Sequence, residues 1–276
     1  MKVLITGRNG FLAKELSENF SDFEITCVGR QEVNLTDPSS ARSLFQYNRF
    51  DAVVHTAIKG GKRDKEDTFQ TFVDNISMFN NLIANRRSFG KLINFCSGAA
   101  FGRNADIYGY QEHRIQELVP RDYYGMSKNV IARECEKLDN VYNLRLFGCF
   151  GFYEDETRFI KSSIMKSLKK EPIIIHKNKM MDFVSSEDVA TVVRHYLENE
   201  PEETYEDINI CYKQKQTLRN IALKIVGLTN SKSDIILEES GFGNTYTGCG
   251  DKLDSLNLDL QGLDLGLAKL KERLSG

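Results

Sequence analysis

Near its amino terminus the chain reads Val3-Leu-Ile-Thr6-Gly7-Arg8-Asn9-Gly10-Phe11-Leu12-Ala13. An apolar run, a Gly-x-x-Gly-x-x-Ala segment and an amphipathic stretch follow directly on one another, which predicts a strand, a tight turn and a helix. Glycines let a backbone approach a pyrophosphate closely, and the start of a helix offers free N–H groups and a positive dipole end. Ala13 takes the third small position, where the helix packs on the strand. The stretch predicts a phosphate-binding turn, although alone it also fits an ordinary βα turn.

The same alternation continues through the first half of the chain. Runs rich in Val, Ile and Leu predict strands at 3–6, 24–28, 52–55, 92–96 and 142–146. Amphipathic stretches predict helices at 10–20, 37–47, 65–85 and 123–138. Thr36-Asp37-Pro38 is typical of a helix start, with a polar cap followed by proline. Strands that alternate with helices at this spacing predict an α/β fold, a doubly wound parallel sheet buried between helices.

The pattern loosens after about residue 151. Helices are predicted at 158–169, 187–198 and 218–226, strands at 172–176, 208–211 and 234–237, and a core helix in the closing Leu-rich segment. We therefore expect a first domain at 1–156 and a smaller C-terminal lobe at 157–276, of which about 183–212 returns to the first sheet. The length of 276 residues fits one large domain or a domain with a lobe.

Composition and charge argue against several classes of protein. Hydrophobic residues make up 41% and charged residues 28%, an ordinary balance for a globular protein. The 37 basic residues against 39 acidic ones give a net charge of −2, with no general attraction to nucleic acid or anionic lipid. Apolar runs fall short of the ~20 residues of a bilayer span, and the run after Met1 is too short for a signal peptide. We expect a cytoplasmic protein with neither nucleic-acid nor membrane partners.

Cysteine and histidine spacing bears on disulfides and metals. The six cysteines include no C-x-x-C pair, and the four histidines show no zinc-like spacing. We therefore expect reduced thiols and no metal site.

The end of the second predicted strand bears on the cofactor. A carboxylate there accepts a hydrogen bond from the ribose 2′-hydroxyl of NAD, whereas an arginine suits the 2′-phosphate of NADP. The sequence reads Cys27-Val-Gly29-Arg30-Gln31. Arg30 therefore predicts NADP rather than NAD, and the alternative is an ordinary surface arginine.

The segment Tyr124-Gly-Met-Ser-Lys128 places a phenol and an ammonium one helical turn apart on one face. A neighbouring ammonium favours the phenolate, so we expect the pKa of Tyr124 to move from ~10 toward the working pH. Tyr124 can then give a proton to a carbonyl oxygen or take one from an alcohol, and Ser97 can hydrogen-bond the same oxygen. The pair alone is most simply an ordinary helix pair, but with the glycine turn and Ser97 the catalytic interpretation is favoured.

Together these motifs resemble the extended short-chain dehydrogenase/reductase family, in its branch of NAD(P)-dependent nucleotide-sugar epimerases, dehydratases and ketoreductases. The resemblance covers nearly the whole chain, with the motifs in the expected order. Residues 29–37 are most similar to GDP-fucose synthases and deoxysugar 4-ketoreductases. Further matching segments are His55-Thr-Ala57, Asn75, Phe95-Cys-Ser97-Gly-Ala-Ala-Phe101-Gly, Asp182-Phe183-Val-Ser-Ser-Glu-Asp188-Val-Ala and Ile208-Asn209-Ile210.

The resemblance implies a Rossmann fold, a substrate-binding C-terminal lobe, a nucleotide-sugar substrate and a homodimer. It assigns catalysis to Ser97, Tyr124 and Lys128, and has Lys128 also hold the nicotinamide ribose. It implies that NADP is bound by Gly7, Asn9, Gly10, Phe11, Leu12, Arg30, Asn34, Leu35, Thr56, Ala57, Asn75, Tyr124 and Lys128.

Three departures from the family pattern restrict what carries over. Met181 stands where an arginine often precedes Asp-Phe, so a usual substrate contact is missing or moved. Gly148 replaces an asparagine, which puts a contact on the nicotinamide or sugar side in doubt. Ser97-Gly98-Ala99 replaces the Thr-Asp-Glu triplet of 4,6-dehydratases. Elimination of water then lacks its acid/base pair, so a dehydratase is the least favoured sugar chemistry.

The leading hypothesis is an NADPH-dependent reductase of a nucleotide-linked 4-keto-6-deoxysugar, with the hydride from nicotinamide and the proton from Tyr124. A 4-epimerase that retains NAD uses the same three groups and is the alternative, but Arg30 favours the NADPH-consuming reductase. A regulatory protein that binds NADP without turnover is a third hypothesis, against which the complete Ser97, Tyr124 and Lys128 set argues. Candidate substrate contacts are Tyr108, Phe159 and His176, and a packing role fits each of them equally well.

Overall fold

A computed structural model describes residues 1–61, 65–104, 106–199 and 205–276. Its helices are α1 (Phe11–Asn19), α2 (Pro38–Gln46), α3 (Phe69–Ile83), α4 (Tyr123–Cys135), α5 (Phe159–Leu168), α6 (Ser186–Glu198), α7 (Leu218–Leu228), α8 (Asp251–Ser255) and α9 (Gly262–Ser275). Its strands are β1 (Lys2–Thr6), β2 (Glu24–Val28), β3 (Phe50–His55), β4 (Phe89–Ser97), β5 (Ile107–Tyr110), β6 (Val141–Leu146), β7 (Cys149–Phe150), β8 (Ile173–Asn178), β9 (Val184–Ser185), β10 (Asp207–Ile210), β11 (Ile235–Phe242) and β12 (Tyr246–Gly248). In these ranges every helix is too short or too polar to cross a bilayer.

Six of these strands form one parallel sheet in the order β10-β6-β4-β3-β1-β2. From β1 the chain crosses to β2 on one side and then to β3 on the other, so the direction of winding reverses at β1. Ligands of such sheets bind at the carboxyl ends of the strands beside the point of reversal. The predicted α/β fold with a doubly wound parallel sheet is confirmed.

Helices cover both faces of the sheet because its strands are apolar on both sides. Successive residues of β1 are fully buried and face opposite cores. Val3 and Ile5 pack in the core formed with α1 and α6, and Leu4 packs in the core formed with α2, α3 and α4. With both faces covered, the large sheet itself offers its strand ends for a site.

The starts of two helices show how local sequence sets the element bounds. Asp37 caps α2 by accepting from the backbone N–H groups of Ser39 and Ser40, and Pro38 occupies the first turn, as predicted. Helix α3 starts at Phe69, four residues later than predicted. Thr68 precedes it, and its backbone N–H donates to Thr71 Oγ1 at 3.2 Å, which closes the helix start at this point.

A smaller core lies among elements of the second half of the chain, where α5, α7 and α9 pack with β8. Between β8 and α7 the chain returns to the large sheet through β10, which pairs with β6. Four short strands were not predicted, namely β5, β7, β9 and β12; β5 has 4 residues and β12 has 3, too few to show an alternating pattern. Strands β5 and β12 bear on the site. They pair in parallel, with Tyr246 opposite Ile107, and this pairing brings β12 to the edge of the site.

Candidate active site

The carboxyl end of β1 carries the glycine turn. Gly7 has a φ of +83°, and a Cβ there would lie 2.9 Å from the backbone nitrogen of Ala57, so the turn lies against the end of β3 only because residue 7 is glycine. Helix α1 begins directly afterwards with Gly10 as its N-cap, and no side chain of the described residues bonds to its first N–H groups. The first turn of α1 therefore has donors available for an anion.

A pocket of about 350 Å³ lies at this edge of the sheet, at the ends of β1, β2 and β3. Its glycine cradle and its uncapped helix start fit the pyrophosphate of a dinucleotide. The side chains of Phe11 and Leu12 instead pack against the core on the α1 and α6 side. The predicted cofactor residues that line the pocket are Gly7, Asn9, Gly10, Arg30, Asn34, Leu35, Thr56 and Ala57.

Asn75 lies behind the wall of this pocket rather than in it. Its side-chain NH₂ group donates to the Lys59 carbonyl and to Ser127 Oγ, both at 3.0 Å. Its side-chain oxygen accepts from the Lys59 backbone N–H at 2.9 Å. Asn75 thereby ties the segment after β3 to α3 and α4, and so shapes the pocket wall.

Arg30 is exposed on the turn after β2, where it lines the pocket. On the same turn Glu32 accepts from the Gly29 backbone N–H at 2.8 Å and from Arg8 at 2.6 Å. These bonds lower the pKa of Glu32, the Gly29 bond most of all. The Arg8–Glu32 pair was not predicted, because its members are 24 residues apart and meet only when the turns fold. The Glu32 carboxylate, on the same turn as Arg30, therefore already accepts hydrogen bonds from donors of the protein itself.

A second pocket, of about 300 Å³, contains Ser97 from the end of β4 and Tyr124 from the first turn of α4. Ser97 Oγ accepts from the Ala99 backbone N–H at 3.2 Å, and Ser97 and Tyr124 line the pocket together. Lys128 follows one turn later, is 5% exposed, and donates through Nζ to the Phe95 carbonyl at 2.5 Å. The structure thus brings the three predicted catalytic residues to the junction of β4 and α4.

The pKa of Tyr124 differs from the sequence-based expectation. Burial raises it to about 12, against the opposing effect of the Ser97 hydroxyl. Burial also lowers the pKa of Lys128 to about 8, because a buried ammonium loses its hydration. The predicted shift of Tyr124 toward the working pH is therefore wrong in direction: desolvation outweighs the Ser97 hydroxyl and the Arg103 guanidinium, which both act to lower the pKa. Tyr124 stays protonated at neutral pH, as a donor to a carbonyl oxygen must.

Among the other side chains that line the catalytic pocket, four carry a charge or a hydroxyl and belong to no motif: Arg103, Arg158, Lys179 and Tyr246. The Arg103 guanidinium lies 5.2 Å from the centre of the Tyr124 ring and forms ion pairs with Asp67 and Asp122. Arg158 bonds to Glu154 at 3.2 Å. These residues come from loops and a short strand, so only the tertiary fold brings them to Tyr124.

A cleft of about 540 Å³ adjoins the catalytic pocket and continues between α5, β8 and the segment before β12. Arg103 and Lys179 line both spaces, and Lys166 and Lys177 add positive charge to the cleft. Of the three candidate substrate contacts, Phe159 and His176 line the cleft. Tyr108 lines neither space and is 66% exposed.

The packing explains one of the departures from the family pattern and places a second. A Cβ on Gly148 would lie 2.6 Å from the Asp182 carbonyl oxygen and 2.9 Å from the Phe183 ring, so an asparagine side chain does not fit there. Met181 is buried and lines the catalytic pocket. The cations of that pocket come from other elements, which carry Arg103, Arg158 and Lys179.

Comparison with known proteins decides the family. The model of the NAD dependent epimerase/dehydratase family matches residues 3–211. The chain belongs to this family. The match extends from β1 to just past β10, and so includes the glycine turn, Ser97, Tyr124 and Lys128. The family predicted from the sequence motifs is confirmed.

Individual members of the epimerase/dehydratase family are similar to this chain. It is 26% identical over 224 residues to the GDP-6-deoxy-D-talose 4-dehydrogenase of Aggregatibacter actinomycetemcomitans, covering 76% of this chain and 74% of that protein. The GDP-mannoheptose C4 reductase of Campylobacter jejuni, solved with NADP bound, matches with a TM-score of 0.84 at 18% identity, over 100% and 98% of the two chains. A GDP-L-fucose synthetase of Naegleria fowleri matches with a TM-score of 0.78 at 16% identity, over 98% and 91%. The structural matches show a shared fold, and together with the family they support the predicted class, an NAD(P)-dependent oxidoreductase.

Proposed function

We propose that this chain is an NADPH-dependent reductase of a nucleotide-linked 4-keto sugar, in the first instance a 6-deoxyhexose. The observation that carries the proposal is Tyr124: a partly buried, protonated phenol that lines a pocket together with Ser97, next to a positively charged cleft. A protonated donor fits reduction of a ketone, in which the new alcohol oxygen needs a proton. The related Campylobacter reductase and Aggregatibacter dehydrogenase, by their names, act on GDP-linked sugars.

The two pockets have different parts in the proposed reaction: the first binds the cofactor, and the second holds the groups that act on the keto sugar. When bound, reduced nicotinamide supplies a hydride to the keto carbon. The glycine turn and the first N–H groups of α1 hold the pyrophosphate, and Arg30 binds the 2′-phosphate as a bidentate donor. Tyr124 gives its proton to the carbonyl oxygen, and the Ser97 hydroxyl donates a hydrogen bond to that oxygen as charge develops on it. Lys128 fixes α4 to the end of β4 through its bond to Phe95.

The C-terminal lobe binds the nucleotide sugar in this proposal. The cleft presents several cations, and a diphosphate is the part of a nucleotide sugar that such a surface attracts. Arg103 and Lys179 line both the cleft and the catalytic pocket, so they lie where the diphosphate joins the sugar. They take the place of the arginine that the family often carries at the position of Met181.

The test is turnover with a defined substrate. The purified protein receives NADPH and a GDP-linked 4-keto-6-deoxyhexose, and we expect loss of NADPH in proportion to the sugar alcohol formed. The protein should also be recovered largely free of nucleotide cofactor, because a stoichiometric reductant exchanges at every turnover. Tightly held NAD together with inversion of a saturated nucleotide sugar would indicate the epimerase instead. Binding of NADPH without reduction of GDP-, UDP- or dTDP-linked keto sugars would indicate the regulatory protein.

A further inference from the structure

Tyr246 enters the catalytic pocket from β12 and lines it together with Ser97 and Tyr124. Its hydroxyl lies beside residue 98: a Cβ on Gly98 would lie 2.9 Å from Tyr246 Oη and 2.5 Å from the Phe147 ring. A side chain at residue 98 would therefore displace both aromatic residues. The missing side chain of Gly98 gives the Tyr246 hydroxyl its place next to Ser97.

The backbone and the ring of Tyr246 are both held in place. Its N–H donates to the Met180 carbonyl at 2.9 Å, and its carbonyl accepts from the Asp182 N–H at 3.1 Å. Its ring packs edge-on against Phe147, with the ring centres 5.4 Å apart. Burial raises the pKa of Tyr246, so its hydroxyl keeps its proton at neutral pH. A fixed, protonated hydroxyl thus lies beside residue 98, in the pocket that Ser97 lines.

The hydrogen-bonding capacity of Ser97 shows what this hydroxyl can do. A serine hydroxyl has one proton to donate and two lone pairs that accept. The Ala99 N–H takes one lone pair, and the hydroxyls of Tyr124 and Tyr246 belong to residues that line the same pocket as this oxygen. If the second lone pair accepted from Tyr124, the proton of Tyr124 would be turned away from a substrate.

We propose that Tyr246 is a positioning residue, whose hydroxyl donates to the second lone pair of Ser97 and so leaves the protons of Ser97 and Tyr124 directed at the substrate carbonyl. This inference rests on the proposed reductase function. In the step itself the O–H bond of Tyr124 breaks and its proton joins the carbonyl oxygen, while the hydride from the reduced cofactor joins the carbonyl carbon. Ser97 and Tyr246 keep their protons, and Tyr246 acts through Ser97.

The kinetic test compares two Tyr→Phe variants on paired strands. Tyr246→Phe keeps the ring that packs on Phe147 and removes only the hydroxyl. Tyr110→Phe is the control: Tyr110 lies on β5, and its ring packs on Phe101 at 5.6 Å without lining the pocket. We expect Tyr246→Phe to lower kcat about tenfold, the effect of one buried hydrogen bond, with KM for the keto sugar within about twofold. Tyr110→Phe should leave both constants unchanged.

Coupling to Ser97 separates the proposed role from a general structural one. In a Ser97→Ala background, Tyr246→Phe should lower kcat no further, because its partner is already gone. An unchanged kcat in the single variant would overturn the inference. The inference would also be overturned if Ser97→Ala and Tyr246→Phe lowered kcat by factors that multiply in the double variant. A raised KM at unchanged kcat would overturn it too, because Tyr246 would then be a direct substrate contact.

A second measurement needs no turnover. With carbon-13 at the ζ position of every tyrosine, the NMR resonance of Tyr124 reports the hydrogen bonding of its hydroxyl. We expect that resonance to move in Tyr246→Phe, to stay in place in Tyr110→Phe, and to be insensitive to Tyr246→Phe once Ser97 is alanine. A Tyr124 resonance unaffected by Tyr246→Phe would overturn the inference. If the wild-type protein reduced no keto sugar, the proposed function would fail while this measurement still decided the role of Tyr246.

Discussion

Lys128 donates a hydrogen bond through Nζ to the backbone carbonyl of Phe95 at 2.5 Å, inside the protein. The bond ties the second turn of α4 to β4, two residues before Ser97. Because Tyr124 lies one turn before Lys128, the same bond fixes the distance between the proton donor and the serine. Burial lowers the pKa of Lys128 to about 8, so at neutral pH the fold holds a charge away from water. The geometry of the site is therefore maintained against a cost in stability.

Lys128→Met should make this cost measurable as a pH-dependent difference in the free energy of unfolding. Below pH 8 Lys128 is charged in both the folded and the unfolded protein, and the folded protein bears the full free-energy cost of the buried charge. Between the folded value of about 8 and the ordinary 10.5, only the unfolded state keeps the proton, so the wild type gains stability relative to the variant as pH rises. The relative gain should be about 3 kcal/mol, measured by urea unfolding. The exposed Lys169→Met is the control, and a wild-type to Lys128→Met difference that does not change with pH would contradict the prediction.

His55 should make the fold sensitive to acid. Burial lowers its pKa from 6.5 to about 3, and its Nδ1 lies 2.8 Å from Thr6 Oγ1, which also accepts from the Ala57 N–H. Below pH 6.5 the unfolded state binds a proton that the folded state refuses, so stability falls as pH falls. Relative to His55→Gln, the wild type should lose about 3 kcal/mol between pH 6.5 and about pH 4. The control is His113→Gln, at an exposed histidine, which should keep the wild-type dependence of unfolding free energy on pH. If His55→Gln also kept that dependence, the prediction would be wrong.

Arg30 should determine the preference for NADP over NAD. Its guanidinium is always charged and can bind a phosphate with two parallel hydrogen bonds. Arg30→Ala should raise the Kd of NADPH at least roughly tenfold (~1.4 kcal/mol) and change that of NADH little, as measured by isothermal titration. Arg42→Ala, an exposed arginine on α2, is the control. Equal weakening for both cofactors, or for neither, would show that Arg30 does not contact the 2′-phosphate.

Tyr124→Phe should abolish most turnover while cofactor binding and folding persist. Phenylalanine keeps the ring and removes the proton, so a loss in kcat on the order of 10²–10⁴ is expected. The preceding residue offers a matched control, because Tyr123 is on the same helix but is 40% exposed and packs on Phe69. Tyr123→Phe should retain activity, and Ser97→Ala should lose less than Tyr124→Phe. Near-normal activity in Tyr124→Phe would place the acid elsewhere.

The parts of the fold that could be predicted are those set by short-range sequence. Strands of a buried parallel sheet read as apolar runs, and the strand at 24–28 was predicted with the bounds that the structure has. The start of α2 followed from Asp37 and Pro38, whose capping bonds span only a few residues. Strands β5 and β12 carry no such pattern, because each is too short to alternate.

The site was only partly predictable for a related reason. Gly7, Ser97, Tyr124 and Lys128 stand in motifs with fixed spacing, but Tyr246 enters their pocket from a segment far along the chain, through the pairing of β12 with β5. The pKa of Tyr124 depends on how completely packing removes water, which the spacing of Tyr124 and Lys128 does not reveal. The reason for a glycine at residue 98 likewise becomes evident only in the folded structure, where Tyr246 and Phe147 lie beside it.

The transfer of a labelled hydride decides whether this protein is a reductase. NADPH with deuterium at its transferable position would be incubated with the GDP-linked 4-keto-6-deoxyhexose, and the product analysed by mass spectrometry and NMR. We expect one deuterium in each product molecule, on the former carbonyl carbon, and none when Tyr124→Phe replaces the wild type over the same period. A sugar product without deuterium, formed while the labelled NADPH stays intact, would mean that hydride comes from a retained cofactor, and would contradict the proposed reductase.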